Sequence, residues 1–202
     1  MNRIIRSAYV VSFALLFGIT SCSNQTSDTA NNKSTEAEYH DHNHDHSAAH
    51  NHQTDHATSE TAASKHIPPF TFYKVKSGIS FQNVDIPQGR KTVFILFDPS
   101  CSHCRSEAAA LGKNYDKIKM VNLYFVSMND PALMASFLET FAKELVDKPN
   151  VEVLYDRNQE FIQKFHVPKQ FPANYVYSTD GQLEAHWDGD KSISEIITAY
   201  TK

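Results

Sequence analysis

A chain of 202 residues has room for one domain and a tail, or for two very small domains. Its formal charge of −4 and the lack of any lysine or arginine cluster give no basic footprint, which argues against nucleic-acid binding. At 41% hydrophobic the composition suits a soluble protein, but it is unevenly spread. From Ser23 to His66 there is hardly an aliphatic side chain larger than alanine, whereas Phe70 to Lys202 has the apolar density of a packed domain.

The chain opens with Arg3 and Arg6 ahead of an apolar run from Ala8 to Ile19. That is the shape of a secretory signal, and the run is too short for a comfortable membrane span. Next come Ile19-Thr20-Ser21-Cys22, which resemble a bacterial lipobox, where a small residue precedes a cysteine that is lipidated and becomes the mature N-terminus. Residues 1–22 are therefore expected to be a lipoprotein signal peptide ending at a lipidated Cys22; the alternative is an ordinary signal with an incidental cysteine. Acyl chains would anchor the protein firmly, at about 0.8 kcal/mol per buried methylene. The expected location is a bacterial cell envelope, lipid-anchored, with the domain facing the periplasm or the exterior, where disulfides persist.

Residues 23–66 are rich in Ser, Thr, Asn, Asp, Ala and His and cannot bury enough apolar surface to offset chain entropy. They are expected to form a disordered tether. Within it, the tract 40–56 holds His40, His42, His44, His46, His50, His52 and His56, with Asp41, Asp45 and Asp55 between them. Neutral imidazole is a good ligand for zinc, copper and nickel, so the tract is a candidate zinc or copper site. The plainer alternative is a soluble spacer. Acidification would protonate the ligands and release metal.

The domain proper is expected over 67–202. TFYKV and ISFQNVDI suggest two short strands turning at Ser77-Gly78, a hairpin. KTVFILF (91–97) and MVNLYFVS (120–127) are continuous apolar runs, as in strands buried on both faces. Between them, Ala108, Leu111 and Tyr115 recur at helical spacing. Asp130 and Pro131 suit the cap and first turn of a second helix, with Leu133, Phe137, Phe141 and Leu145 as its predicted apolar face. VEVLYD (151–156) reads as a strand and Asn158 to Phe165 as a short helix presenting Phe161, Ile162 and Phe165. ANYVYS and QLEAHWDG, joined at Ser178–Gly181, read as a hairpin, and Ser192 starts a terminal helix carrying Ile193, Ile196 and Ile197. Strands alternating with helices imply a layered α/β sandwich with a mixed sheet.

Asp98-Pro-Ser-Cys101-Ser-His-Cys104 follows the first buried run directly. A structural zinc site normally needs four protein ligands, and the folded part supplies beyond this pair only the scattered His103, His166 and His186. An inert disulfide between residues three apart would close a trivial loop and add little stability. Redox exchange suits the position better. At the start of a helix, free amides and the helix dipole favour a Cys101 thiolate, and a protonated His103 would add to that. Cys101 is then the exposed nucleophile, with a pKa below the roughly 8.5 of a free cysteine. Cys104, one turn inward, resolves the mixed disulfide.

VFILF-DPSCSHC leading into a helix, with QFPANYVYSTDGQLEAHWDG downstream, resembles the thioredoxin superfamily over about residues 70–202. The resemblance implies a three-layer α/β/α sandwich with a mixed sheet and an N-terminal β-hairpin. It also makes Pro172 the cis-proline that faces the two cysteines and aligns substrate backbone. The extra helix and strand over roughly 130–155, the hairpin and the lipid anchor are similar to extracytoplasmic thiol-disulfide oxidoreductases of the cytochrome-maturation type. That implies protein thiols or disulfides as substrates, a redox partner, and no required cofactor. Three positions depart from the pattern: Ser100 replaces the usual tryptophan, Ile95 the buried aspartate and Phe171 the threonine before the proline. Two other functions compete. One is a metal-handling lipoprotein that uses the histidine tract and the dithiol on copper or zinc. The other is a peroxiredoxin, whose Pro-Thr-Cys arrangement is missing because Asp98-Pro99-Ser100-Cys101 has another spacing. Asp98 is a candidate proton handler or simply a turn residue. Tyr175 and Trp187 are expected to be packing residues, and His166 a satisfied loop histidine.

Overall fold

The apolar runs of the sequence become the sheet, and the chain between them supplies the layers on either side. A computed structural model describes residues 62–202. A hairpin of β1 (Thr71–Lys74) and β2 (Ser80–Gln82) leads into β3 (Thr92–Leu96). Helix α1 (Ser102–Lys113) and the single turn α2 (Tyr115–Ile118) return the chain to β4 (Asn122–Ser127). Then follow α3 (Pro131–Ala135), α4 (Phe137–Phe141) and β5 (Val151–Tyr155). The chain closes with α5 (Glu160–Lys164), β6 (Ala173–Tyr177), β7 (Leu183–Asp188) and α6 (Ile193–Thr201).

The sheet runs β2-β1-β5-β4-β3-β6-β7. β3, β4 and β5 are parallel, while the hairpins at both ends pair antiparallel, so the sheet is mixed. Every residue of β3, β4 and β6 is buried, as the continuous apolar runs require of strands covered on both sides. Alternation then divides their side chains between two cores. Val93, Ile95, Leu123, Phe125 and Val176 face the layer of α1, α4 and α6, meeting Ala108, Leu111, Phe137 and Ile196. Phe94, Leu96, Tyr124, Tyr175 and Tyr177 face the other side, where Phe70, Phe72, Phe161 and Phe165 form an aromatic cluster. The result is the three-layer α/β/α sandwich with its N-terminal hairpin.

Four local features differ from the sequence-based expectation. Residues 62–66, assigned to the tether, pack on the domain: Ala63 is buried, Ser64 N donates to Phe165 O (2.8 Å), and Leu183 N donates to Lys65 O (2.8 Å). Backbone pairing holds this stretch, so no apolar pattern marks it. The second strand stops at Gln82, because the Asp85 carboxylate accepts from Gln82 N (2.8 Å) and folds Asn83–Asp85 into a 3-10 turn that leaves Val84 exposed. The helix after Pro131 is capped as expected by Asp130, whose Oδ1 accepts from Ala132 N (2.8 Å). It breaks at Ser136, however, and the change of phase turns Leu133 outward while Met134 and Leu138 join Phe137 inside. The short helix begins late, at Glu160, where the buried Asp156 carboxylate accepts from both Glu160 N and Phe161 N (2.8 Å each).

Candidate active site

β3 delivers the chain to the C-terminal end of the parallel strands, and Asp98 to Ser100 turn it into α1. Asp98 Oδ1 accepts from Ser100 N (2.7 Å) and Ser100 Oγ (2.6 Å), and Asp98 O accepts from Cys101 N (3.1 Å). Burial pushes the Asp98 carboxyl up, but hydrogen bonds from Ser100 and Asn129 outweigh it and hold the group below its usual range. Its contacts are those of an ionised turn residue. Arg105 reaches back so that Nε donates to Pro99 O (2.9 Å), with its guanidinium over the Phe141 ring at 4.9 Å. The turn is thus pinned to the helix that it starts.

Cys101 is the N-cap residue of α1, half-buried, with its Sγ 3.8 Å from Phe171 O. Cys104 lies within the first turn and is 2% exposed. Burial pushes its thiol far above the ordinary cysteine range, and the neighbouring Cys101 and Glu107 push in the same direction. Both sulfurs are free thiols in this structure. The Phe171–Pro172 peptide is cis, and Pro172 directly precedes β6, whose Ala173 pairs with Leu96. Adjacency of β3 and β6 therefore brings the loop containing Pro172 to the cysteines. Cys101, Gln170, Phe171, Gly189, His103 and Asp190 line an open groove of about 450 Å³. A second cleft, about 260 Å³, lies between Val75, Leu138 and Val151, and neither cysteine lines it.

His103 shares the groove with Cys101, and its ring is held from the far side. Its Nδ1 is in hydrogen-bond contact with Asp190 Oδ2 at the rim of the groove, both side chains remaining more than half exposed.

Beneath the cysteines lies an acid that the sequence reading passed over. Glu107 is 7% exposed, and its Oε1 accepts from Asn174 Nδ2 at 3.0 Å. Asn174 Oδ1 in turn accepts from the hydroxyl of the fully buried Tyr200 on α6. Burial raises the Glu107 carboxyl to about 7; the Asn174 hydrogen bond opposes the shift and the charge of Asp190 adds to it. Ile95, where related proteins were expected to carry a buried aspartate, is opposite Asn174 in the β3–β6 register. The carboxylate of this site thus comes from the helix and not from the strand. A signal was present: Glu107 stands on the stripe Cys104–Ala108–Leu111, three residues after the second cysteine, where a charge has no place on an apolar face. Asp190 had none, because only the tertiary fold brings it to His103.

Elsewhere, His166 Nδ1 meets Tyr175 OH (2.9 Å), and burial lowers the pKa of the ring. Tyr175 and Trp187 are buried packing residues. Cys22 and the seven tract histidines, His40 to His56, lie outside the described residues. Among the described residues, no group of three or more His, Cys, Asp or Glu is placed to hold a metal ion, and no helix is long and apolar enough to cross a membrane.

A Cys-x-x-Cys at a strand-to-helix junction, facing a cis-proline in a mixed sheet covered on both sides, defines the thioredoxin-like fold. Several solved structures share that fold. A secreted disulfide oxidoreductase from Mycobacterium tuberculosis, described as homologous to DsbE of E. coli, superposes with a TM-score of 0.54 at 24% identity, covering 65% of this chain and 93% of that one. StoA of Bacillus subtilis gives 0.50 at 16% identity, over 65% and 96%. The exposed lipoprotein thioredoxin Etrx1 of Streptococcus pneumoniae gives 0.50 at 16%, over 66% and 98%. No curated protein matches the chain. Residues 63–186 match the AhpC/TSA family, and the chain belongs to that family, whose members are generally redox enzymes.

Proposed function

We propose that the chain is a thiol-disulfide oxidoreductase that exchanges electrons with protein dithiols and disulfides through Cys101 and Cys104. One observation carries this: a half-exposed sulfur at the helix N-terminus faces a cis-proline loop, with a buried sulfur one turn behind it and a buried acid one turn further. In the reducing direction, the Cys101 thiolate attacks a substrate disulfide, forms a mixed disulfide and expels one substrate thiolate, which takes a proton from water. Cys104 then attacks the Cys101 sulfur, the second substrate thiol leaves, and the Cys101–Cys104 disulfide remains. Two electrons pass to the substrate. Because burial holds the Cys104 proton tightly, that second attack needs a base. Glu107, poised near 7, is matched to take the proton and to return it in the opposite direction.

The groove is open and shallow, which suits an extended peptide better than a small molecule. Extracytoplasmic placement and anchoring through Cys22 extend the proposal. They are supported by the lipobox-like N-terminus and by two fold neighbours, one described as secreted and one as an exposed lipoprotein. The tether from residue 23, shortened to end before Ala62, with zinc or copper bound by its histidines, rests on sequence composition. Trapping tests the function: Cys104→Ser protein is expected to accumulate mixed disulfides with cell-envelope proteins, and Cys101→Ser none. Equal trapping by both variants, or by neither, would contradict the assigned roles.

A further inference from the structure

Asp190 belongs to the short connection between β7 and α6, far in sequence from both cysteines, yet it is bound into the site from two sides. Its carboxylate pairs with His103 on α1. The residue before it, Gly189, donates its N–H to Pro172 O (2.8 Å), which fastens the connection to the cis-proline loop. Gly189 sits at φ +78°, a conformation that strains any residue with a Cβ, and a Cβ there would also displace the Gln170 amide, whose Oε1 would lie 2.5 Å away. His103 is flanked on its own helix by Cys101, Cys104 and Glu107, and across the groove by Asp190 and the uncharged Gln170 and Phe171. Of these, Asp190 takes the ring, while the Cys101 sulfur points to Phe171 O.

We propose that Asp190 is a positioning residue for the dithiol: it holds His103 at the rim of the groove and so withholds a hydrogen-bond donor from the Cys101 thiolate. The inference rests on thiol exchange by this site. Reduction of the Cys101–Cys104 disulfide takes two electrons and up to two protons, and it leaves a thiolate wherever the thiolate is stabilised. A donor on that thiolate stabilises the reduced form and makes the disulfide a stronger oxidant. Pairing of the ring with Asp190 removes that donor and moves the couple in the reducing direction. The carboxylate charge also reaches Glu107, where it adds to burial in favouring the protonated acid.

The test is a double-mutant cycle on the full chain with Asp190→Asn, His103→Ala and the double variant, each equilibrated in glutathione buffers. Asp190→Asn is expected to shift the equilibrium toward the reduced protein about tenfold, or about 30 mV. In the reduced protein, the same variant is expected to show more thiolate absorbance at neutral pH. Most of both effects should be lost in the His103→Ala background, leaving only the direct influence of the Asp190 charge on Glu107, and Asp190→Glu should restore wild-type values. A potential and absorbance unchanged by Asp190→Asn, or changed equally without His103, would overturn the proposal; a purely structural clamp gives the second result. Failure of the wild-type protein to exchange with glutathione at all would instead overturn the oxidoreductase function, and the thiolate absorbance would still decide the role of Asp190.

Discussion

Replacing Glu107 by glutamine isolates the buried acid with little change of shape, since Oε1 of the new amide can still accept from Asn174. In the native chain the carboxyl rises from 4.5 to about 7, mainly through burial. Between those two values the folded protein binds more protons at this site than the unfolded chain does, so stability falls as pH rises through the window. At about 1.4 kcal/mol per unit, the part of the shift realised between about pH 5 and about pH 8 corresponds to about 2.5 kcal/mol. Urea unfolding of the reduced protein at those two pH values, followed through the single tryptophan, Trp187, measures it. Wild type is expected to lose about 2.5 kcal/mol more than Glu107→Gln across the interval. Asp156, also raised by burial, contributes equally to both proteins and cancels. The same substitution is expected to slow the second attack by about a hundredfold, within the usual range for loss of a general base. Parallel stability profiles would refute both the buried charge and its proposed use.

Three further outcomes are expected, two from this geometry and one from the sequence of the tract. Iodoacetamide at neutral pH is expected to modify Cys101 first, and Cys101→Ser protein to react at least about tenfold more slowly than Cys104→Ser protein, because burial holds the Cys104 proton; mass spectrometry of each variant reads this. Gly189→Ala is expected to cost about 1–2 kcal/mol in thermal unfolding and to slow mixed-disulfide formation, since both its φ and the Gln170 contact oppose a Cβ. Deleting residues 40–56 is expected to remove zinc or copper binding in a calorimetric titration and to leave the thermal transition in place; a marked loss of stability would mean that the tract packs on the domain.

The fold was legible where burial writes a continuous pattern. KTVFILF and MVNLYFVS are the two centre strands because only a strand covered on both faces needs apolar residues without interruption. The two cysteines and Pro172 could be found because each is a rare residue in a motif of fixed order. What escaped was held by other forces. Residues 62–66 are fixed by main-chain hydrogen bonds, to which side-chain composition is blind. Leu133 and Leu138 exchanged places because one irregular residue, Ser136, resets a helix face that periodicity assumes to be continuous. Glu107 was readable as a charge on an apolar stripe, whereas Asn174 and Tyr200, which surround it, come from β6 and α6 and meet only in three dimensions. The same holds for Asp190, so the groups proposed to tune the cysteines were the least visible.

Whether Cys101 and Cys104 form a working two-electron couple is read most directly by equilibrating the full chain across a series of glutathione buffers and counting free thiols on each residue. Both thiols are expected to appear and disappear together in a single transition, tenfold in equilibrium constant for each 30 mV or so, with the same midpoint when zinc is added or residues 40–56 are removed. Either cysteine remaining free throughout, or a transition that occurs only with metal bound, would contradict a dithiol built for electron exchange.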